Sequence, residues 1–147
     1  EVADPRALRF RIATLEVGKT AILTVIRHAK TIRLKMPLEA PPEVPPRRLT
    51  RLKGKHPLSG VTIANLSPAL AEELSLEPTQ SGVIVLGISR RSPARRLGLK
   101  PGDFLAEINR KKIANVADTK AALRSTASAW RISVVRDGRL LTVVIDG

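Results

Sequence analysis

Two stretches near the end of the chain alternate hydrophobic and polar positions, as neighbouring strands of a sheet do. They cover residues 130–136 and 139–145, and Asp137-Gly138 separates them. Asp-Gly between alternating stretches is a strong hairpin signal, because both residues tolerate the positive φ that a two-residue turn requires. The pattern therefore predicts a β-hairpin at 130–145.

The same alternation occurs early in the chain. Residues 24–30 match residues 133–139 in register, and residues 7–9 resemble residues 122–124. Self-similarity at a fixed spacing indicates a repeated structural unit. The pattern therefore predicts that residues 1–38 form a helix and a hairpin like those that end the downstream domain.

The stretch Ser92–Ile113 predicts a short helix, a turn and a strand in direct succession. Pro93 suits the first turn of the helix, and Gly98 supplies the positive φ that ends it. Pro101-Gly102-Asp103 is typical of a turn. The strand follows, with Phe104, Ala106 and Ile108 expected on one face, and a further short strand is expected at Ile113.

Three elements are predicted upstream of this stretch and one downstream, from hydrophobic spacing and capping residues. The first is a strand at 61–66 with Val61 and Ile63 on one face. The second is a helix begun by Ser67 and Pro68, with Ala69, Leu70 and Leu74 on its apolar side and Glu72 and Glu73 near its start. The third is a buried strand at 83–88, and the downstream element is a helix at Thr119–Thr126 capped by Asp118.

The sequence of Ser92–Ile113, SPARRLGLKPGDFLAEINRKKI, resembles the PDZ domains that follow the protease domain in the HtrA/Do family of serine endoproteases. The resemblance implies an α+β, mainly β fold, a PDZ-like partly open β-barrel or sandwich with two capping helices. It also implies three regions: 1–38, the C-terminal part of a truncated first PDZ domain; 39–56, a Pro-rich basic linker; and 57–147, a complete second PDZ domain.

A PDZ domain binds an extended peptide by adding it to a sheet edge and holding its C-terminal carboxylate with backbone amides. By resemblance to the family's carboxylate loop, Leu58, Ser59, Gly60 and Val61 take those positions here. Ser59 departs from the family pattern, which has a large apolar residue at that position, so a shallower or more polar pocket is expected. The groove is expected to be lined by Thr62, Ile63, Thr119, Lys120 and Leu123. The alternative is that Val61, Ile63 and Leu123 are ordinary core and Gly60 an ordinary turn, and both can hold at once because a PDZ groove is the edge of the core.

The composition narrows the chemistry. The chain of 147 residues has no cysteine and only two histidines, His28 and His56, so it offers neither a disulfide nor a cysteine-containing metal shell. No Ser-His-Asp set is evident, so this region is not expected to be an enzyme, and catalysis is expected in a protease domain elsewhere in the parent chain. No cofactor and no bound metal are expected.

The net charge of +13 is large for this length, with +8 on residues 1–56 and +5 on residues 57–147. Such a charge is compatible with an anionic partner. However, no aromatic residues lie between the basic clusters to stack on bases, so the sequence argues against nucleic acid.

Two interpretations stay open at this point. In the first, the resemblance implies a periplasmic or cell-envelope region that binds unfolded or misassembled proteins through C-terminal or extended peptides, serves the protease domain of the same parent chain and regulates protease assembly. Self-association through the truncated first PDZ domain belongs to this interpretation. In the second, the region is a structural or oligomerisation module, or a basic scaffold for anionic surfaces, without specific recognition of C-terminal peptides.

Overall fold

The computed structural model describes residues 4–77, 80–125 and 127–146. The chain divides into two compact units, Glu1–Pro41 and Pro42–Gly147. No helix among these residues is long and apolar enough to cross a membrane.

The first unit contains one helix and one hairpin, as the sequence predicts. Helix α1 (Pro5–Ala13) is capped by Asp4, whose carboxylate accepts hydrogen bonds from the amides of Arg6 and Ala7. Strands β1 (Thr20–Arg27) and β2 (Lys30–Pro37) pair in an antiparallel hairpin. The pair Arg27–Lys30 closes the turn, just as Arg136–Arg139 closes the hairpin at the end of the chain. The predicted repeat is thus present as two hairpins of the same length and register.

The second unit is built on an open antiparallel sheet in the order β3-β4-β5-β6-β8-β9, with β7 paired to β6. The strands are β3 (Thr50–Arg51), β4 (Val61–Asn65), β5 (Val83–Ile88), β6 (Phe104–Ile108), β7 (Lys111–Lys112), β8 (Ala129–Arg136) and β9 (Arg139–Asp146), and the helices are α2 (Pro68–Glu73), α3 (Pro93–Arg96) and α4 (Val116–Leu123). The fold is mainly β, and the sheet does not close into a barrel within the described residues. The predicted fold class is therefore confirmed.

Several local predictions are confirmed by the capping geometry. Ser67 caps α2 as predicted, its hydroxyl oxygen accepting from the amide of Leu70, and Ser92, which was not predicted as a cap, accepts in the same way from the amide of Ala94 at the start of α3. Gly98 has φ of +80° after α3, and Asp137-Gly138 form the turn between β8 and β9 with φ of +49° and +73°. These elements form where expected because their signals are local turn and cap residues.

The helix predicted at Thr119–Thr126 is wrong in its bounds. α4 runs from Val116 to Leu123, and Asn115, not Asp118, caps it. Asp118 instead completes a capping box, its carboxylate accepting from the amides of Ala114 and Asn115. The predicted end, Thr126, lies outside the described residues.

The predicted alternation along β6 is also wrong. Leu105 and Ile108 are the buried side chains, because the pairing register with β8 shifts between Leu105 and Glu107. An extra residue in one strand reverses the faces beyond it. The short strand expected at Ile113 lies just before it, at Lys111–Lys112.

Helix α2 differs from the prediction in its apolar side. Leu70 and Ala71 are buried, whereas Leu74 follows the last turn and is exposed. Glu72 and Glu73 stand at the end of this six-residue helix and not near its start. The helix is too short for the predicted spacing to develop.

Candidate functional site

The two edges of strand β4 are both paired. On one side β4 pairs with β5, from Val61–Ile88 to Asn65–Val83. On the other side it pairs with β3, in the register Thr50–Ile63 and Arg51–Thr62. The strand β3 lies in the segment predicted to be a linker, and nothing in the sequence predicted it.

The loop Leu58–Val61 makes a tight turn before β4. The amide of Ser59 donates to the carbonyl of His56 at 3.1 Å, that of Gly60 to Leu52 at 2.8 Å and that of Val61 to Leu58 at 3.2 Å. Three amides of the expected carboxylate-binding loop are thus already bonded to main-chain carbonyls. Of the three acceptors, only the carbonyl of Leu52, which receives the bond from Gly60, belongs to a residue more than three positions away along the chain.

Glycine is required at position 60 for two reasons. Its φ is +82°, in the left-handed region, and a Cβ there would lie well inside contact distance of the Ser89 hydroxyl. The loop is also tied to α3, since the Ser92 hydroxyl donates to the carbonyl of Ser59 at 2.6 Å. The loop conformation is therefore held by its neighbours.

We call residues 47–52 the strap. At its end Leu52 is only 4% exposed and belongs to the same core cluster as Leu58, Val61 and Ile63. The amide of Leu52 donates to the carbonyl of Val61 at 2.8 Å, and its carbonyl accepts from Gly60. The strap therefore runs antiparallel to β4 and ends with an apolar side chain in the core and a carbonyl on the loop.

Asn65 joins the other end of the strap to both β4 and α4. Its main-chain amide donates to the carbonyl of Arg47 at 2.7 Å, and its side-chain amide donates to the carbonyl of Pro46 at 2.8 Å. Its side-chain oxygen accepts from the amide of Val116, the first residue of α4, at 2.8 Å. A single buried side chain thus positions strap, strand and helix.

Arg47 fixes the start of the strap through charge. Its guanidinium forms paired hydrogen bonds with both carboxylate oxygens of Glu43 and both of Glu73, between 2.7 and 3.0 Å. Bonding to Arg47 lowers the pKa of both carboxyl groups below their ordinary value. The same contacts raise the pKa of Arg47 above its ordinary value, so it stays charged at any working pH.

Helix α4 supplies the opposite side of the region. Lys120 and Leu123 line a cavity of about 590 Å³ together with strap residues and the segment that follows the strap. Thr119 does not line it, since it is fully buried and its hydroxyl donates to the carbonyl of Asn115 at 3.3 Å. The cavity has a cationic rim, formed by Arg51, Lys53, Lys55, Lys120 and Arg124. Its floor is apolar and is formed by Leu52, Leu123, Ala127 and Trp130.

The structure thus brings together most of the predicted site residues. Leu58, Val61 and Ile63 lie in the core beneath the strap, Thr62 pairs with the strap, and Lys120 and Leu123 lie across the cavity. Sequence analysis missed Leu52, Asn65 and Arg47. Residues 49–52, LTRL, have apolar side chains only at the two ends and so lack the alternation that marks a strand.

No group of three or more His, Cys, Asp or Glu side chains able to hold a metal ion occurs in the described part of the chain. The histidine nearest the site, His56, has one ring nitrogen beside the carbonyl of Lys53 at 3.2 Å, and its ring centroid lies 6.3 Å from that of Trp130. These contacts are structural. The arrangement at β4 is one that binds an extended backbone.

Comparison with known proteins agrees with this geometry. The sequence profile of the PDZ domain matches residues 58–146. A probable periplasmic serine endoprotease, DegP-like, of Chlamydia trachomatis is 25% identical over 99% of the chain and 28% of its own length. The periplasmic serine endoprotease DegP of Salmonella typhimurium is 26% identical over 88% of the chain and 24% of its own length.

A solved structure of the HtrA-type protease AlgW with a decapeptide aligns with a TM-score of 0.50 and 30% identity, covering 59% of this chain and 27% of that one. The chain spans only 24% to 28% of the length of the DegP relatives named above. The resemblance to the HtrA/Do family is confirmed. The chain belongs to the PDZ domain family, and the proteins it matches are serine endoproteases of the HtrA and DegP type.

Proposed function

We propose that this chain is the peptide-binding region of an HtrA-type serine endoprotease, and that it recognises C-termini or exposed extended segments by adding them to β4. One observation carries the proposal: the outer edge of β4 holds an extended segment whose last carbonyl accepts from Gly60. This is the geometry of strand addition. The HtrA-type protease AlgW was solved with a decapeptide, and the presence of a peptide in the structure of a related protein supports the proposal.

The groove residues have distinct tasks in this proposal. A bound peptide pairs with β4 through main-chain hydrogen bonds at Thr62 and Ile63 and places its last side chain over Val61. Its carboxylate is received by the amide of Gly60, with Leu58 and Ser59 shaping the loop. On the far side Leu123 gives apolar contact, and Lys120 adds positive charge near the ligand. Thr119, being buried, supports the helix and does not contact the ligand.

The cationic rim favours an anionic terminus. Lys53 and Lys55 flank the loop in sequence, and Lys120 and Arg124 face them across the cavity. Opposite charges attract modestly at an exposed surface, and salt screens that attraction. We expect affinity of about micromolar or weaker, because one strand and one pocket must offset the entropy of association.

The role in the whole protein follows the names of the relatives, which are periplasmic serine endoproteases. We propose a periplasmic location, unfolded or misassembled proteins as the ligands, and a protease domain in the same parent chain. Residues 1–38 are proposed to be the end of a first PDZ domain and to allow self-association. Residues 39–56 are proposed to be the linker, which contains the strap, and residues 57–147 are proposed to be the second PDZ domain. Control of protease assembly belongs to this proposal.

A second candidate is a structural or oligomerisation module, or a basic scaffold for anionic surfaces. It is favoured by the loop's three amides, which already have main-chain acceptors. A domain that never exchanges the strap for a peptide would serve only as scaffold.

A titration of the full chain with C-terminal peptides tests both candidates. Each peptide is compared as free acid and as C-terminal amide, at low and at moderate salt. Binding that requires the free acid and survives salt supports the groove. Binding that ignores the C-terminal group and is lost in salt would refute it and identify the basic surface as the binding site.

A further inference from the structure

We propose that the strap, residues 47–52, is an internal ligand of this PDZ domain and that it must leave β4 before an external peptide can bind. The inference rests on the proposed function, because it describes how the same groove is regulated. It makes the domain self-inhibited at rest. All the contacts between the strap and β4 lie within the second unit.

The end of the strap is seated as a bound peptide's end would be. Leu52 is buried against Val61 and Ile63, and both its amide and its carbonyl are bonded to the loop and to β4. In particular, the carbonyl of Leu52 takes the amide of Gly60 that a carboxylate would otherwise use. Leu52 thus takes the place of a ligand's apolar side chain, in the core cluster, and of its anionic end, at the amide of Gly60.

The edge of β4 cannot hold two strands at once. Its other edge pairs with β5 along the whole of Val61–Asn65, so the only edge for an added strand is the one that β3 occupies. A peptide and the strap therefore exclude each other. The apparent association constant for a peptide is the intrinsic constant multiplied by the fraction of molecules in which the strap is open.

The strap is held more firmly at its ends than along its middle. Only Thr50 and Arg51 have strand pairing, Leu49 is 64% exposed, and Arg48 has φ of +43°. Few buried contacts and an exposed middle are typical of segments that open locally without global unfolding. Opening of the strap therefore begins in its middle, and it is complete only when Leu52 leaves the core cluster while the rest of the unit stays folded.

The strap also indicates which peptide displaces it. The core cluster holds a leucine side chain, that of Leu52, together with Val61 and Ile63. The amide of Gly60 donates to an oxygen atom, here the carbonyl of Leu52. A peptide that ends in leucine with a free carboxylate makes the same contacts and adds a full negative charge, which strengthens the hydrogen bond and suits the cationic rim. The ligand class is therefore an extended chain with an apolar, uncapped C-terminal residue.

A reversible cross-link tests this directly. Arg51 and Thr62 are opposite each other in the β3–β4 register, and opposite residues in antiparallel strands have Cα atoms about 4.5–5.5 Å apart, within the range that a disulfide spans. The chain has no cysteine of its own, so the double variant Arg51→Cys, Thr62→Cys forms one defined bond. Oxidation locks the strap onto β4, and reduction releases it in the same molecules.

The probe is a fluorescein-labelled hexapeptide of the strap's own sequence, RRLTRL, with a free C-terminal carboxylate, followed by anisotropy against the full chain. We expect binding by the reduced double variant and at least a tenfold weaker affinity after oxidation.

A matched pair of single variants extends the test. Leu52→Ser removes the buried anchor and is expected to raise peptide affinity at least tenfold over the wild type, whereas Leu49→Ser changes an exposed leucine of the same segment and is expected to leave it unchanged.

The outcomes separate this inference from the function on which it rests. If oxidation weakens binding but Leu52→Ser binds no better than Leu49→Ser, the peptide adds to β4 without resistance from the strap, so the groove function stands and the internal-ligand inference is overturned. If the oxidised and reduced forms bind the peptide equally, the peptide does not add to the strap's edge of β4, and both the inference and the groove function are overturned. If neither the reduced double variant nor Leu52→Ser binds at all, peptide binding in this groove is itself overturned, and the inference falls with it. Binding confined to the opened forms supports both.

Discussion

The amide of Gly60 and the carbonyl of Leu52 form a 2.8 Å hydrogen bond between residues eight positions apart in the chain. This bond places the strap's last residue at the loop that begins β4. Because Leu52 is also buried in the main core cluster, the segment before the loop contributes to the stability of the fold as well as occupying the groove. Stability and access to the groove are therefore coupled.

Replacing Asn65 tests that coupling. Asn65→Ala removes the partners of the Pro46 carbonyl and the Val116 amide at a site only 4% exposed, so we expect the free energy of unfolding to fall by about 2 kcal/mol. Asn65→Asp keeps an oxygen for Val116 but loses the donor to Pro46. It should speed hydrogen exchange at Leu52 while keeping α4 protected.

The measurements for Asn65 are denaturant unfolding and amide exchange on the three proteins. Wild-type stability in Asn65→Ala would contradict the assigned role of this side chain. Equal protection of Leu52 in Asn65→Asp and wild type would show that the bond to Pro46 does not hold the strap.

The carboxylates bound by Arg47 predict a pH dependence. Their folded-state pKa values are lowered, so they add stability above the ordinary carboxyl pKa of 4.5, and that contribution disappears as pH falls through the lowered values. The melting temperature of the wild type should therefore exceed that of the double variant Glu43→Gln, Glu73→Gln at pH 7. The two should converge below pH 4.5.

Thermal melts of both proteins from pH 7 to pH 3 provide the check. Glu16→Gln is the control, since Glu16 belongs to the first unit, where it forms an exposed ion pair with Lys19. A constant difference between wild type and double variant across the whole range would contradict the predicted linkage.

How far the sequence determines this structure depends on how local each signal is. The hairpin at Asp137-Gly138 and the cap Ser67 form where predicted, because each is set by residues within a few positions. Strand β3 could not be predicted, because two residues become a strand only by pairing with β4. The faces of β6 could not be predicted either, since the register shift arises from its pairing with β8.

The candidate site shows the same division. The loop residues Leu58 and Gly60 were assigned by resemblance to the family's loop pattern, which is local, whereas Leu52 and Asn65 act through partners that lie 8 to 51 positions away. Thr119 was expected in the groove because the helix was predicted to start too late. Once Asn115 caps α4, Thr119 turns to the interior.

The loop glycine should be intolerant of any side chain, for two separable reasons. Gly60→Ala imposes φ of +82° on a residue with a Cβ and places that Cβ against the Ser89 hydroxyl. We expect a loss of about 1–3 kcal/mol in unfolding free energy. Ser89→Ala removes the hydroxyl, so the double variant should recover part of the loss but not the part due to φ.

Denaturant unfolding of the wild type, the two single variants and the double variant forms a double-mutant cycle. A coupling energy near zero would show that the contact with Ser89 is relieved by side-chain movement and that φ alone requires glycine. Wild-type stability of Gly60→Ala would contradict both reasons.

The turn residue Asp103 should matter more for stability than its place in a Pro-Gly-Asp turn suggests. Its carboxylate is 1% exposed, receives two hydrogen bonds from Arg136 at 2.6 and 2.8 Å and one from the amide of Lys100 at 2.8 Å. The guanidinium also donates to the carbonyl of Gly98 at 2.8 Å. The carboxylate thus joins the turn before β6 to the end of β8.

Asp103→Asn retains the shape but removes the charge and replaces one acceptor with a donor that faces Arg136. We expect the melting temperature to fall by roughly 5–10 °C, because a buried charged hydrogen bond is lost and the guanidinium loses its partner. Asp137→Asn is the matched control, since Asp137 is exposed in the hairpin turn at φ of +49°, which asparagine tolerates as well. Thermal melts of the two variants at pH 7 give the comparison, and equal melting temperatures would refute the role assigned to the Asp103–Arg136 pair.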